Sequence, residues 1–154
     1  MNKGITLIET LIYIALFIII MGGALFASYS IILSQESNKN KIILQEEANF
    51  IYRKFTWALN GSVISQISTT TLKLIKNSGE QINFSYESPY LYIEILPEGR
   101  LPLNSGVVSV SDVEFRKTTE FGYPDRISID FILTVFDGGR SSSENFSFWK
   151  YLRQ

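Results

Sequence analysis

The sequence predicts an α+β chain: a long N-terminal helix, membrane-spanning in its first half, packed on a C-terminal antiparallel β-sheet domain. Three observations carry this. Thr10 to Ser34 contains no charged residue. Apolar residues then recur at spacings of three and four as far as Leu59. From Ser62 onward the apolar period falls to two. A spacing of three or four places side chains on one helix face, and a spacing of two places them on one strand face.

The uncharged run is about 25 residues, or roughly 37 Å as a helix, enough to cross a bilayer with some tilt. It exceeds the 7–15-residue apolar core of a cleaved secretory signal. Gly22-Gly23 lies inside it and weakens the helix locally. Glu9 stands about one turn into the apolar stretch. A carboxylate there is costly in lipid, on the order of a few kcal/mol, and such residues are usually functional. The alternative is an interfacial Glu9 near the positive end of the helix dipole.

The surroundings of Glu9 bear on that choice. Lys3-Gly4-Ile5-Thr6-Leu7-Ile8-Glu9 resembles the type IV prepilin cleavage and methylation motif. The resemblance combines a short leader containing a Lys, a Gly before the cut, a Glu at the fifth mature position and an apolar helix after it. It implies cleavage by a prepilin peptidase between Gly4 and Ile5, then N-methylation of the Ile5 amine. A Gly lacks the Cβ that would obstruct a peptidase approaching the backbone. Glu9 is then the register residue, pairing with a neighbouring subunit's N-terminal amine in the low-dielectric filament core. The implied divisions are a leader over 1–4, a membrane and filament-core helix over 5–34, an amphipathic continuation over 35–60 and a β domain over 61–154. Lys3 is a weak topology signal, and Glu36, Lys39 and Lys41 beyond the run do not reinforce it. Orientation therefore rests on the resemblance.

Beyond the uncharged run, Leu44, Ala48, Ile51, Phe55 and Ala58 or Leu59 form an apolar stripe, with Gln45, Glu46, Asn49, Arg53 and Lys54 opposite. This predicts either one helix from Ile5 to Leu59 or two helices broken near Ser37-Asn38. Asn60-Gly61 is the stop signal.

The remaining chain reads as strands. Segments around Leu72–Leu74, Ile82–Tyr86 and Leu91–Ile95 are separated by turn chemistry at Asn77–Glu80 and Ser88-Pro89. Pro97–Arg100 is expected as a further turn and Val108–Phe115 as a strand. The clearest strand is Ile127–Val135, with Ile127, Ile129, Phe131, Leu133 and Val135 on one face. Asp137–Asn145 is expected to be a Gly/Ser-rich loop before a last strand at Phe146–Tyr151. The meander, Leu101-Pro102-Leu103, Val108–Phe115 and the long alternating strand together look like the J- or W-type minor pilins and pseudopilins.

Composition narrows the chemistry. Fourteen basic and fifteen acidic residues leave a net charge of −1, without the basic excess of a nucleic-acid binder. The chain has no cysteine and no histidine, which removes thiol nucleophiles and histidine-based triads. Asp137-Gly138-Gly139 lacks the lysine of a P-loop, and Asp137 with Glu144 supplies too few oxygens for a convincing calcium loop. Trp57, Tyr90, Tyr92, Phe115, Phe131, Phe148 and Trp149 are expected in the core and in strand pairs. The expected protein is non-enzymatic, without metal or cofactor. Its expected partners are the prepilin peptidase, other minor and major pilins or pseudopilins, and membrane lipid before assembly. It would be a single-pass cytoplasmic-membrane protein with an extracytoplasmic β domain, later moving into a filament. The alternative is a permanently membrane-anchored extracytoplasmic binding module.

Overall fold

A computed structural model describes residues 6–137 and 139–152. It has the α+β architecture, with one helix, α1 (Leu7–Leu59), followed by eight strands. The chain divides into two units, Met1–Lys39 and Asn40–Gln154.

In the first unit, Leu7–Ile32 is long and apolar enough to cross a bilayer, with mean hydropathy 2.4. Its side chains are exposed throughout. Polar groups within it are satisfied locally. The Ser28 hydroxyl donates to the Ala24 carbonyl at 2.9 Å, and Ser30 donates to Ala27 at 3.0 Å. Such bonds within one segment are what a lipid environment requires. The backbone remains helical through Ser37-Asn38, so α1 does not break there.

In the second unit, the stripe Leu44, Ala48, Ile51, Phe55, Ala58 and Leu59 is fully buried, none above 2 % exposed. Helix α1 ends where sequence chemistry requires. Gly61 adopts φ +64°, a left-handed conformation that favours glycine. The Gly61 carbonyl then accepts the Asn77 backbone N–H at 2.9 Å, which ties the helix end to the sheet.

The strands form two antiparallel sheets. The first has the order β1 (Ser62–Ile67), β2 (Thr71–Lys76), β3 (Gln81–Glu87), β4 (Tyr90–Leu96) and β5 (Gly99–Pro102). The second has β6 (Val108–Thr118), β7 (Arg126–Asp137) and β8 (Arg140–Tyr151). One core joins the helix stripe to both inner faces. Phe84 of β3 links them, with its ring 6.1 Å from Phe55 of α1 and 6.2 Å from Phe115 of β6. The sheets also meet through the backbone, where Phe115 N–H donates to Thr69 O at 2.9 Å and Val110 N–H to Pro89 O at 2.9 Å.

Four expectations need correction. Ser62–Ile67, unassigned from sequence, is strand β1. The turn expected at Pro97–Arg100 is shorter, because Gly99 and Arg100 pair with Ile95 and Glu94 in β5. The loop expected at Asp137–Asn145 is mostly strand. The β7–β8 ladder continues to Asp137 opposite Arg140, and Gly139 turns the chain at φ +82°. Last, Trp57 is not a core residue, at 40 % exposed, whereas Trp149, 53 % exposed, stands in the β7–β8 ladder opposite Ser128. Trp149 lies on the outward face of edge strand β8, and Trp57 on the outer side of α1.

Candidate functional site

The first candidate is the start of α1. Lys3, Gly4 and Ile5 lie outside the described residues. Glu9 is in the first helical turn and exposed. Its backbone N–H and that of Thr10 both donate to the Thr6 carbonyl, at 3.0 and 3.2 Å. The Thr10 hydroxyl donates back to Leu7 O at 2.9 Å. Among the described residues, the carboxylate accepts a hydrogen bond from the Tyr13 hydroxyl at 3.2 Å, one helical turn on. Sequence reasoning did not single out Tyr13, although an i, i+4 spacing of acid and phenol could have identified it.

Tyr13 changes the energetics of that turn. A carboxylate has about four lone-pair sites, and one phenol satisfies only part of them. Glu9 is the single charged residue in Leu7–Ile32.

In the second unit, a cavity of about 410 Å³ lies where the β1 edge and the end of β6 diverge. Gly61, Ser62, Asn77, Lys117 and Asp125 contribute to its lining. Lys117 and Asp125 pair at 2.6 Å. Hydrogen bonds from Lys117 and then Thr119 hold the Asp125 carboxyl below its usual range. The two opposite charges satisfy each other. Arg116 is likewise bound to Glu114 in an ion pair on the surface.

A groove of about 670 Å³ runs between α1 and edge strand β8, lined by Asn49, Tyr52 and Ser147–Tyr151. Tyr52 closes one side against Phe148, with rings 4.8 Å apart. Lys150 reaches across to α1, donating to the Thr56 carbonyl at 3.0 Å and to the Asn60 side-chain carbonyl. These contacts fasten the helix end to the second sheet.

Asp137 and Glu144, set aside above as a calcium loop, stand apart on the β7–β8 hairpin. Asp137 lies opposite Arg140, whereas Glu144 lies opposite Leu133 farther along the ladder. Among the described residues no group of three acids could hold a metal ion. The loop between β6 and β7 carries two aromatics that sequence reasoning did not single out. Phe121 is fully exposed and Tyr123 is 67 % exposed.

Comparison with known proteins found no matching family model, no similar curated protein and no similar solved structure.

Proposed function

We propose that the chain is a minor pilin or pseudopilin, a non-enzymatic structural and assembly subunit of a type IV pilus, type II secretion or DNA-uptake filament. A prepilin peptidase removes residues 1–4 on the cytoplasmic side, and the Ile5 amine is methylated. The subunit waits in the cytoplasmic membrane with its β domain outside. It then joins other minor and major subunits in an initiating or tip complex.

The observation that carries this reading is the Gly4–Glu9 motif placed directly before an apolar helix. A simple anchor has no use for an acid one turn into its span. Leu7–Ile32 supplies lateral packing with neighbouring helices after leaving lipid. Glu9, positioned by Tyr13, supplies the charge that fixes axial register. The long exposed helix and the separately cored β domain suit such a subunit.

The exposed Phe121 and Tyr123 favour a second reading, a permanently anchored binding module whose β6–β7 loop meets a ligand. Glu9→Gln separates the two. It retains size and hydrogen bonding but removes the charge. The filament reading predicts normal clipping and insertion with reduced co-purification of partner subunits and reduced assembly. Wild-type assembly of Glu9→Gln would assign Glu9 to the membrane interface instead.

A further inference from the structure

The two sheets end in the edge strands β1, β5, β6 and β8, and the first three are guarded. Strand β1 shifts register between Ile64 and Gln66. Strand β5 has four residues and ends at Pro102. Strand β6 shifts between Ser111 and Glu114, around Asp112 at φ +51°. Its Phe115 and Val110 N–H groups are also taken by Thr69 O and Pro89 O. Bulges, short length, proline and covering contacts are the ordinary means of keeping another strand off an edge. Strand β8 has no bulge and no proline. It is 12 residues long and pairs with β7 in unbroken register. Its single lysine, Lys150, is turned to α1, where it binds the Thr56 carbonyl and Asn60.

The ladder fixes which β8 backbone groups face away from β7. The Leu152 N–H donates to the Asp125 carbonyl at 2.8 Å, one step past the Tyr151–Arg126 pair. Bonding direction alternates along an antiparallel strand. Glu144, Phe146, Phe148 and Lys150 therefore share the direction of Leu152, toward β7. Ser143, Asn145, Ser147 and Trp149 turn both backbone groups to the open side, where β8 has no strand neighbour. Beside that edge runs the groove of about 670 Å³, with Asn49 and Tyr52 on its helix wall. The side chains of Glu144, Phe146, Phe148 and Lys150 form one row, by the alternation of a strand. That row faces α1, since Phe148 meets Tyr52 and Lys150 meets Thr56.

We propose that the β8 edge is a strand-acceptor site, which takes an extended polypeptide segment of another protein chain as a fourth strand of the second sheet. Donors and acceptors that recur every second residue, about 6.8 Å apart, match an extended backbone. The incoming main chain then supplies the affinity, and its alternate side chains supply the specificity. The row facing α1 sets that specificity. In antiparallel pairing, Lys150, Phe148, Phe146 and Glu144 face in turn an acid, two apolar residues and a base, at alternate positions of the incoming segment. These are the non-hydrogen-bonded pairs, whose side chains lie closer together, so charge and apolar complementarity act there. The site goes beyond the filament reading and depends on neither Glu9 nor processing at Gly4.

The probe is the peptide acetyl-Glu-Thr-Val-Thr-Val-Thr-Lys-amide, added to the full-length chain in detergent micelles while amide exchange is followed by NMR. In the free chain, the amides of Glu144, Phe146 and Phe148 should exchange slowly and those of Ser143, Asn145 and Ser147 fast. Peptide at about ten times its dissociation constant should slow the second set about tenfold. Replacing the peptide's Glu by Lys should weaken binding about threefold. Ser147→Pro removes an outward donor but no ladder bond, at a position where an edge strand tolerates proline. It should abolish the slowing while the first set stays protected. Asn49→Trp fills the helix wall of the groove without touching β8, and should also abolish the slowing, which keeps the test decisive if the proline disrupts the strand. Slow exchange of Ser143, Asn145 and Ser147 without peptide would overturn the proposal, since α1 or a second copy would then already cover the edge. So would no slowing with peptide, slowing that survives both substitutions, or equal affinity for the two peptides.

Discussion

Phe131 and Asp130 are adjacent in β7 and face opposite ways. Phe131 is 2 % exposed, and its ring lies 5.8 Å from both Phe146 and Phe148. Phe131→Ala should cost about 3–5 kcal/mol through lost burial and the cavity left behind. Asp130 sits directly opposite Glu114, a like-charge pairing that gains little, with Arg116 nearby as an offsetting cation. Asp130→Ala should stay within about 0.5 kcal/mol of wild type. Denaturant melts of residues 40–154 check both, and equal losses would refute the face assignment. Asn104 is a subtler case. It is 4 % exposed. Its side-chain carbonyl accepts the Leu91 N–H at 2.9 Å, and its amide donates to the carbonyls of Pro89 at 3.3 Å and Val108 at 2.6 Å. Both functions of the amide are needed, so Asn104→Asp should lose the donated bonds and cost about 2–4 kcal/mol. Melts matching wild type would show that the carbonyls find other donors. The alternation around Phe131 was legible because burial imposes a period of two. Asn104 was not, because a polar residue between strands reads as an ordinary loop until its partners are placed around it.

At the scale of elements, apolar spacing identified α1 and the inner faces of β2, β3, β4, β6 and β7. It failed where an element is an edge or is polar. Strand β8 begins Arg140-Ser141-Ser142-Ser143-Glu144, a composition typical of loops. It becomes a strand because β7 offers a full row of backbone partners, and because Thr134 and Ser143 hydroxyls meet across the ladder at 2.8 Å. The Gly138-Gly139 dipeptide was the available signal, since such pairs favour two-residue hairpins. Strand β5 hid for a related reason. Gly99–Pro102 is short, exposed and at the sheet edge, where proline is tolerated. Arg100 secures it, lying 3.8 Å over the Tyr92 ring and pairing with Glu87 at 2.6 Å. Both corrections leave the inner core unchanged, because β5 and the start of β8 add little apolar surface to it.

At the scale of the whole molecule, the two units have different solvents. Leu7–Ile32 has no buried side chains to stabilise it in water, so its exposed apolar surface calls for lipid or neighbouring helices. Asn40–Gln154 has its own core. On the proposed filament reading, Glu9 links these facts to assembly, since its charge is costly in lipid and favourable beside a cation. The candidate site was only partly legible in the sequence. Glu9 stood out because charge is otherwise absent from the span, whereas its Tyr13 support emerged from side-chain placement. The most direct test of the central claim is the mass of the N-terminal peptide from protein isolated in its native cells. The account predicts a terminus at N-methylated Ile5, with Met1–Gly4 removed, and an uncut precursor when Gly4 is changed to Leu. A wild-type chain that retains Met1 in the mature membrane fraction would contradict it.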